Sequence, residues 1–149
     1  MKLEHDKVYH FEVENYAFGD LPKEELAEIL KDARITGLLL EPQLSKWFPE
    51  LTHVDVKGYD HIDESGHKYD AKSFTKGGSN FAPSIMVGGG RSINFELAAT
   101  HANGISYIFC EVDRFPSVRV VAKRGSEMVD QYPSFKVSNT DKNRQWLFG

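Results

Sequence analysis

The chain has 149 residues, of which 40% are hydrophobic and 27% charged, with a formal net charge of −4 at pH 7. That length suffices for one buried core but not for two, the composition is that of a folded domain, and no apolar run approaches the span of a bilayer, so a membrane protein is excluded. The net negative charge argues against a protein that coats nucleic acid indiscriminately, and the single Cys110, set in an apolar run, has no partner for a disulfide or thiolate metal site.

The charge is uneven. Residues 1–70 hold 8 Lys/Arg against 16 Asp/Glu, and residues 71–149 hold 10 against 6. A basic second half could face phosphates while an acidic first half holds cations, since local field steers a polyanion more than total charge does; ordinary surface charge is the other reading.

In chain order, the charged N-terminus is followed by no apolar segment with a cleavage pattern, so a cytoplasmic protein is expected. Val8–Val13 reads as a short opening strand. Asp20 to Lys31 reads as a helix with Asp20 as its cap, Pro22 in its first turn and a stripe of Leu26, Ile29 and Leu30. Gly37 interrupts, and residues 38–51 read as a second helical segment ending before Pro49, with Glu41 near its beginning. Trp47 and Phe48 read as core or dimer contacts.

From Val54 the period changes to two. Val54, Val56, Gly58, Asp60 and Ile62 fall on one face of a strand, while Asp55, Lys57, Tyr59, His61 and Asp63 fall on the other. Glu64-Ser65-Gly66 supplies a turn, and Tyr69–Phe74 reads as the return strand, with Asp70, Lys72 and Phe74 on one face. Residues 76–91 read as a loop that turns at Gly88-Gly89-Gly90 beside Arg91. Ser92–Ala102 then reads as a helix, Gly104–Val112 and Val118–Ala122 as strands, and the tail from Asp141 carries no assignable pattern. His61 and His67 read as surface residues, since two histidines without a placed third ligand are weak evidence for zinc.

The chemistry concentrates in the hairpin. A turn at residues 64–66 pairs Asp63 with His67, and counting back sets Asp60 opposite Asp70. Directly opposed side chains have Cβ atoms about 4.5–5.5 Å apart, which suits two carboxylates sharing a hard cation such as Mg²⁺. Lys72 projects from the same face one pleat further on, where its ammonium could meet water or a phosphate. Such a constellation suits metal-assisted phosphodiester hydrolysis, with Lys72 either stabilising charge or acting as base. A second Asp-x-Lys, Asp55-Val56-Lys57, has no acid placed against it and reads as solvated strand surface.

The string Gly58-x-Asp60-x-x-Asp63-x-x-Gly66-x-x-Tyr69-x-x-Lys72-Ser73 resembles the active-site hairpin of restriction endonucleases of the PD-(D/E)XK superfamily, with Asp70 at the second acidic position, where the family takes either acid. The likeness continues loosely into Thr75-Lys76-Gly77 and the later strand at Tyr107–Phe109. It implies a restriction-endonuclease-like α/β fold, a single domain over residues 1–149 with a central mixed β-sheet flanked by helices. By the same resemblance Asp60 and Asp70 are metal-binding acids, Lys72 is the catalytic lysine, and the Ala71 carbonyl is a further metal ligand. Glu41 is an additional candidate acid, as in relatives that use a helix glutamate, although the helix dipole explains a carboxylate there equally well. The expected cofactor is Mg²⁺, with Mn²⁺ substituting; the expected substrate is double-stranded DNA, cut by a homodimer with one site per strand. Lys76, Ser79, Asn80 and Arg91 are candidate DNA contacts, Ser79 and Asn80 being able to donate and accept at base edges. A junction-resolving or repair nuclease on the same scaffold is the alternative, and a non-catalytic DNA-binding domain with an acidic surface hairpin is a further one.

Overall fold

The computed structural model describes residues 1–83 and 94–149. Its strands and helices alternate as β1 (Val8–Glu12), α1 (Lys23–Ile29), α2 (Ala33–Trp47), β2 (Thr52–Val56), β3 (Tyr59–Ile62), β4 (Lys68–Phe74), β5 (Ser79–Asn80), α3 (Phe95–Asn103), β6 (Ser106–Glu111), β7 (Ser117–Arg124), α4 (Gly125–Gln131), β8 (Lys136–Val137) and α5 (Asp141–Phe148). Six strands form one mixed sheet in the order β1-β7-β6-β4-β3-β2, while β5 and β8 pair separately. Among the described strands of the large sheet, β4 and β6 run parallel and the other neighbours antiparallel. The expected α/β class with a central mixed sheet is therefore observed.

Period-two alternation along the central strands builds two cores. Tyr69, Ile108, Cys110, Val118, Val120 and Ala122 face Leu40, Leu44 and Phe48, whereas Phe74, Tyr107, Phe109 and Val121 face the opposite way, toward Ala98, Ala102, Met128 and Leu147. Every residue of β6 is buried, as expected of a strand covered on both faces by helices. Cys110 lies in the core, and so does Phe48, while Trp47 stacks on Phe11 at 4.0 Å between ring centroids. Among the described residues, no helix is long and apolar enough to cross a membrane.

Several sequence expectations are corrected. Asp20 caps nothing: α1 begins at Lys23 with Pro22 in the cap position and no side-chain cap. Leu26 and Leu30 are buried, but Ile29 is exposed. The second helix begins earlier than expected, at Ala33, because Asp32 accepts a hydrogen bond from the Arg34 N–H, and it runs through both Gly37 and Pro42. Glu41 thus lies mid-helix, and the dipole explanation for it falls.

The strand expected from Val54 to Ile62 is two antiparallel strands. Lys57 and Gly58 form a turn between β2 and β3, with Val56 paired to Tyr59 and Gly58 at φ +95. A side chain at residue 58 would be strained there, and its Cβ would stand 3.1 Å from the His101 imidazole. Val56 consequently shares the face of Tyr59 and His61, not that of Asp60. The helix expected at residues 92–102 is seen as Phe95–Asn103, capped by the Asn94 side chain; residues 92 and 93 lie outside the described residues. The two later strands agree within two residues, and the unassigned tail is a helix whose Thr140 hydroxyl accepts from the Asn143 N–H.

Candidate active site

The β3–β4 hairpin is fixed by its turn. Gly66, at φ +88, closes onto the Asp63 carbonyl, and the Asp63 carboxylate accepts from the Ser65 N–H at 2.9 Å, the Ser65 hydroxyl at 2.7 Å and the His67 N–H at 3.0 Å. With the turn pinned, His61 pairs with Tyr69 and Ile62 with Lys68, so Asp60 stands opposite Asp70 as the spacing predicts. The structure thus brings Asp60, Asp70 and Lys72 together. Asp60 Oδ2 accepts from the Ala71 N–H at 2.9 Å, and Lys72 Nζ lies 3.3 Å from Asp70 Oδ2. Because the N–H and C=O of one strand residue point to the same edge, the Ala71 carbonyl is turned toward the side of Asp60.

These charges are withdrawn from solvent: the side chains of Lys72 and Asp70 are 17% and 13% exposed. Burial and the facing Asp60 push the Asp70 carboxyl well above the usual carboxylate range, against the opposing pull of the Lys72 ammonium. Two facing acids of which one resists ionisation form a site that a cation would relieve. Among the described residues no three His, Cys, Asp or Glu side chains converge as a metal cage. Two carboxylates and a backbone carbonyl are all oxygen donors, the ligand type that hard cations such as Mg²⁺ take.

Glu41 reaches the same neighbourhood from α2. A cavity of about 430 Å³ is lined by Gly37, Glu41, Ala71, Lys72 and Ser73 among others, while Asp60 and Asp70 stand outside its lining. Burial and the charge of Asp60 push the Glu41 carboxyl up, opposed by its 3.2 Å contact with His53 Nε2. His61, expected on the surface, is fully buried, and its Nε2–H donates to the Glu41 carbonyl at 2.6 Å, which ties α2 to the hairpin. His67 contributes to a different cluster, its Nε2 lying 2.8 Å from the Ser106 hydroxyl, which His5 also contacts at 2.7 Å.

The expected DNA contacts are brought together less well. Lys76 is exposed just after β4. Ser79 and Asn80 lie in β5, paired with β8; the Ser79 hydroxyl is buried, whereas Asn80 is exposed, its Oδ1 accepting from the Ala82 N–H at 3.0 Å. Arg91 and the glycines before it lie outside the described residues. Part of the basic excess in the second half is engaged within the fold, while Lys76, Arg114, Lys136 and Lys142 are exposed. Arg119 and Arg144 both engage Glu111, Arg144 also bonds Asp113 at 2.7 Å, and Lys123 and Arg124 engage Asp6 at 3.0 and 3.7 Å.

Sequence reasoning missed His53, His61 and Tyr107. His53 and His61 are paired across β2 and β3, a relation visible only once Lys57-Gly58 is read as a turn. Tyr107 stands beside Asp70 in the parallel register of β4 and β6, which no local pattern announces. No protein-family model matches the chain, and no curated protein matches it either.

Proposed function

We propose that the chain is a Mg²⁺-dependent DNA endonuclease of the PD-(D/E)XK kind, acting on double-stranded DNA as a type II restriction endonuclease does and working as a homodimer. One observation carries the reading: the opposition of Asp60 and Asp70 on a pinned hairpin, with the Lys72 ammonium 3.3 Å from Asp70. Asp60, Asp70 and the Ala71 carbonyl are the groups that would hold the ion, and Glu41, whose carboxyl feels the charge of Asp60, is the further candidate acid. Such an ion supplies acidified water and charge neutralisation at the scissile phosphate, for which Mn²⁺ serves as well.

The chain's own groups do the rest. Asp60 is oriented by the Ala71 N–H, so its second oxygen is left for the site. Lys72 is positioned by Asp70, and that pairing favours it as a stabiliser of charge on the phosphate oxygens over a base. Hydrolysis adds water at phosphorus and breaks the P–O3′ bond, giving a 5′-phosphate and a 3′-hydroxyl. One site cuts one strand, so a symmetric pair of chains cuts a duplex. Lys76 supplies a phosphate contact beside the site.

The test is incubation of the purified protein with plasmid and phage DNA, in Mg²⁺ and in EDTA. Discrete, Mg²⁺-dependent bands are expected, and Asp70→Ala is expected to abolish them while DNA binding persists. Cleavage of branched DNA alone would replace restriction by a structure-selective nuclease, and undiminished cleavage by the Asp70→Ala protein would overturn the reading altogether.

A further inference from the structure

Tyr107 is 1% exposed, and among the described residues its hydroxyl has no hydrogen-bond partner. Its ring is held by Phe81 and Phe109, with centroids 5.2 and 6.0 Å away. A phenylalanine would fill the same volume without burying an unpaired O–H, which is costly in a dry interior. The hydroxyl is not randomly placed. Tyr107 is the register partner of Asp70 across the parallel β4–β6 pair, so the two side chains rise side by side from one face of the sheet, the face that also carries Lys72. Burial and the charge of Asp70 together hold the phenol in its neutral, donating form.

We propose that Tyr107 is a positioning residue for the hairpin site, its O–H donating to the Asp70 carboxylate when that group is committed to an ion and fixing which carboxylate oxygen faces the ion and which faces Lys72. This inference rests on the nuclease reading. In the structure Lys72 Nζ lies 3.3 Å from Asp70 Oδ2, and among the described residues the Tyr107 hydroxyl is unpaired. Once the carboxylate is drawn to an ion, it gains a donor from its register neighbour on the adjacent strand.

The test compares the wild-type protein with Tyr107→Phe. Three readouts are taken: the melting temperature without divalent ions, the rise in melting temperature on adding Mg²⁺ alone, and kcat and KM on cleaved DNA. The variant is expected to melt no lower than wild type without ions, since only an unpaired hydroxyl is lost. Its Mg²⁺-induced rise is expected to shrink, and kcat to fall about tenfold, the worth of one hydrogen bond to a charged group, with KM unchanged. A variant with the full Mg²⁺ response and full kcat would overturn the proposal, as would one that melts well below wild type, which would make the hydroxyl a determinant of the fold. If the wild-type protein itself neither cleaves DNA nor responds to Mg²⁺, the nuclease reading fails, and this inference with it.

Discussion

Burial and the facing Asp60 push the Asp70 carboxyl upward despite Lys72, so an ionised Asp70 weakens the ion-free fold. Asp70→Asn keeps the shape and removes the charge. It is expected to raise stability at neutral pH in EDTA, measured by denaturant unfolding, because a carboxyl that burial disfavours as an anion is replaced by a neutral amide, while ending the proposed cleavage. Added Mg²⁺ should stabilise the wild-type protein and leave the variant unmoved. At this scale Asp60, Asp70 and Lys72 were legible because a strand's period of two and a glycine turn fix parity over a short hairpin. Glu41 was legible only as an acid on a helix. His61 and Tyr107 were not legible, because their placement depends on a helix carbonyl and a neighbouring strand far away in the chain.

Elements were read well where period and punctuation agreed and poorly where a break preserved the period. A two-residue turn at Lys57-Gly58 leaves apolar and polar positions alternating, so one strand and a tight hairpin look alike; the glycine at φ +95 was the available signal. In α2, the break expected at Gly37 was overruled by packing, since Leu40, Leu44 and Phe48 are buried against the sheet. The tail helix α5 is held by an interaction that no local pattern shows. Arg144 on α5 bonds Glu111 of β6 and Asp113, and Arg119 of β7 completes the network. Burial opposes ionisation of Glu111, but the hydrogen bonds from Arg119 and Arg144 outweigh it and hold the carboxyl below its usual range. Its contribution to stability is therefore present above the ordinary glutamate range and is lost as pH falls through the lower folded value. Arg144→Ala is expected to cost about 3 kcal/mol at neutral pH, read by urea unfolding. The gap to wild type should narrow on acidification below the ordinary carboxylate range, since the arginines hold both Glu111 and Asp113 below their usual values and the gap closes only as these protonate; a gap that stayed constant would show that the arginine acts by packing alone.

For the whole molecule, the α/β class and the central mixed sheet were legible from the alternation of segment types. The strand order was not, because register across β4 and β6 joins segments separated by β5, α3 and residues 84–93. The charge asymmetry was read from composition, which does not distinguish a cation facing solvent from one clamped in the fold, and most of the paired basic residues named above are clamped.

The position of the acids within the topology also bears on how the chain folds. Asp60 and Asp70 meet in a hairpin of short loop, whereas β4 meets β6 only after a long crossover, and short loops close first. The repulsion between the carboxylates is then met on the way up the folding barrier, not after it. Mg²⁺ is accordingly expected to accelerate refolding, displacing the folding limb of a stopped-flow chevron relative to EDTA. A displacement confined to the unfolding limb would place the hairpin on the native side of the barrier.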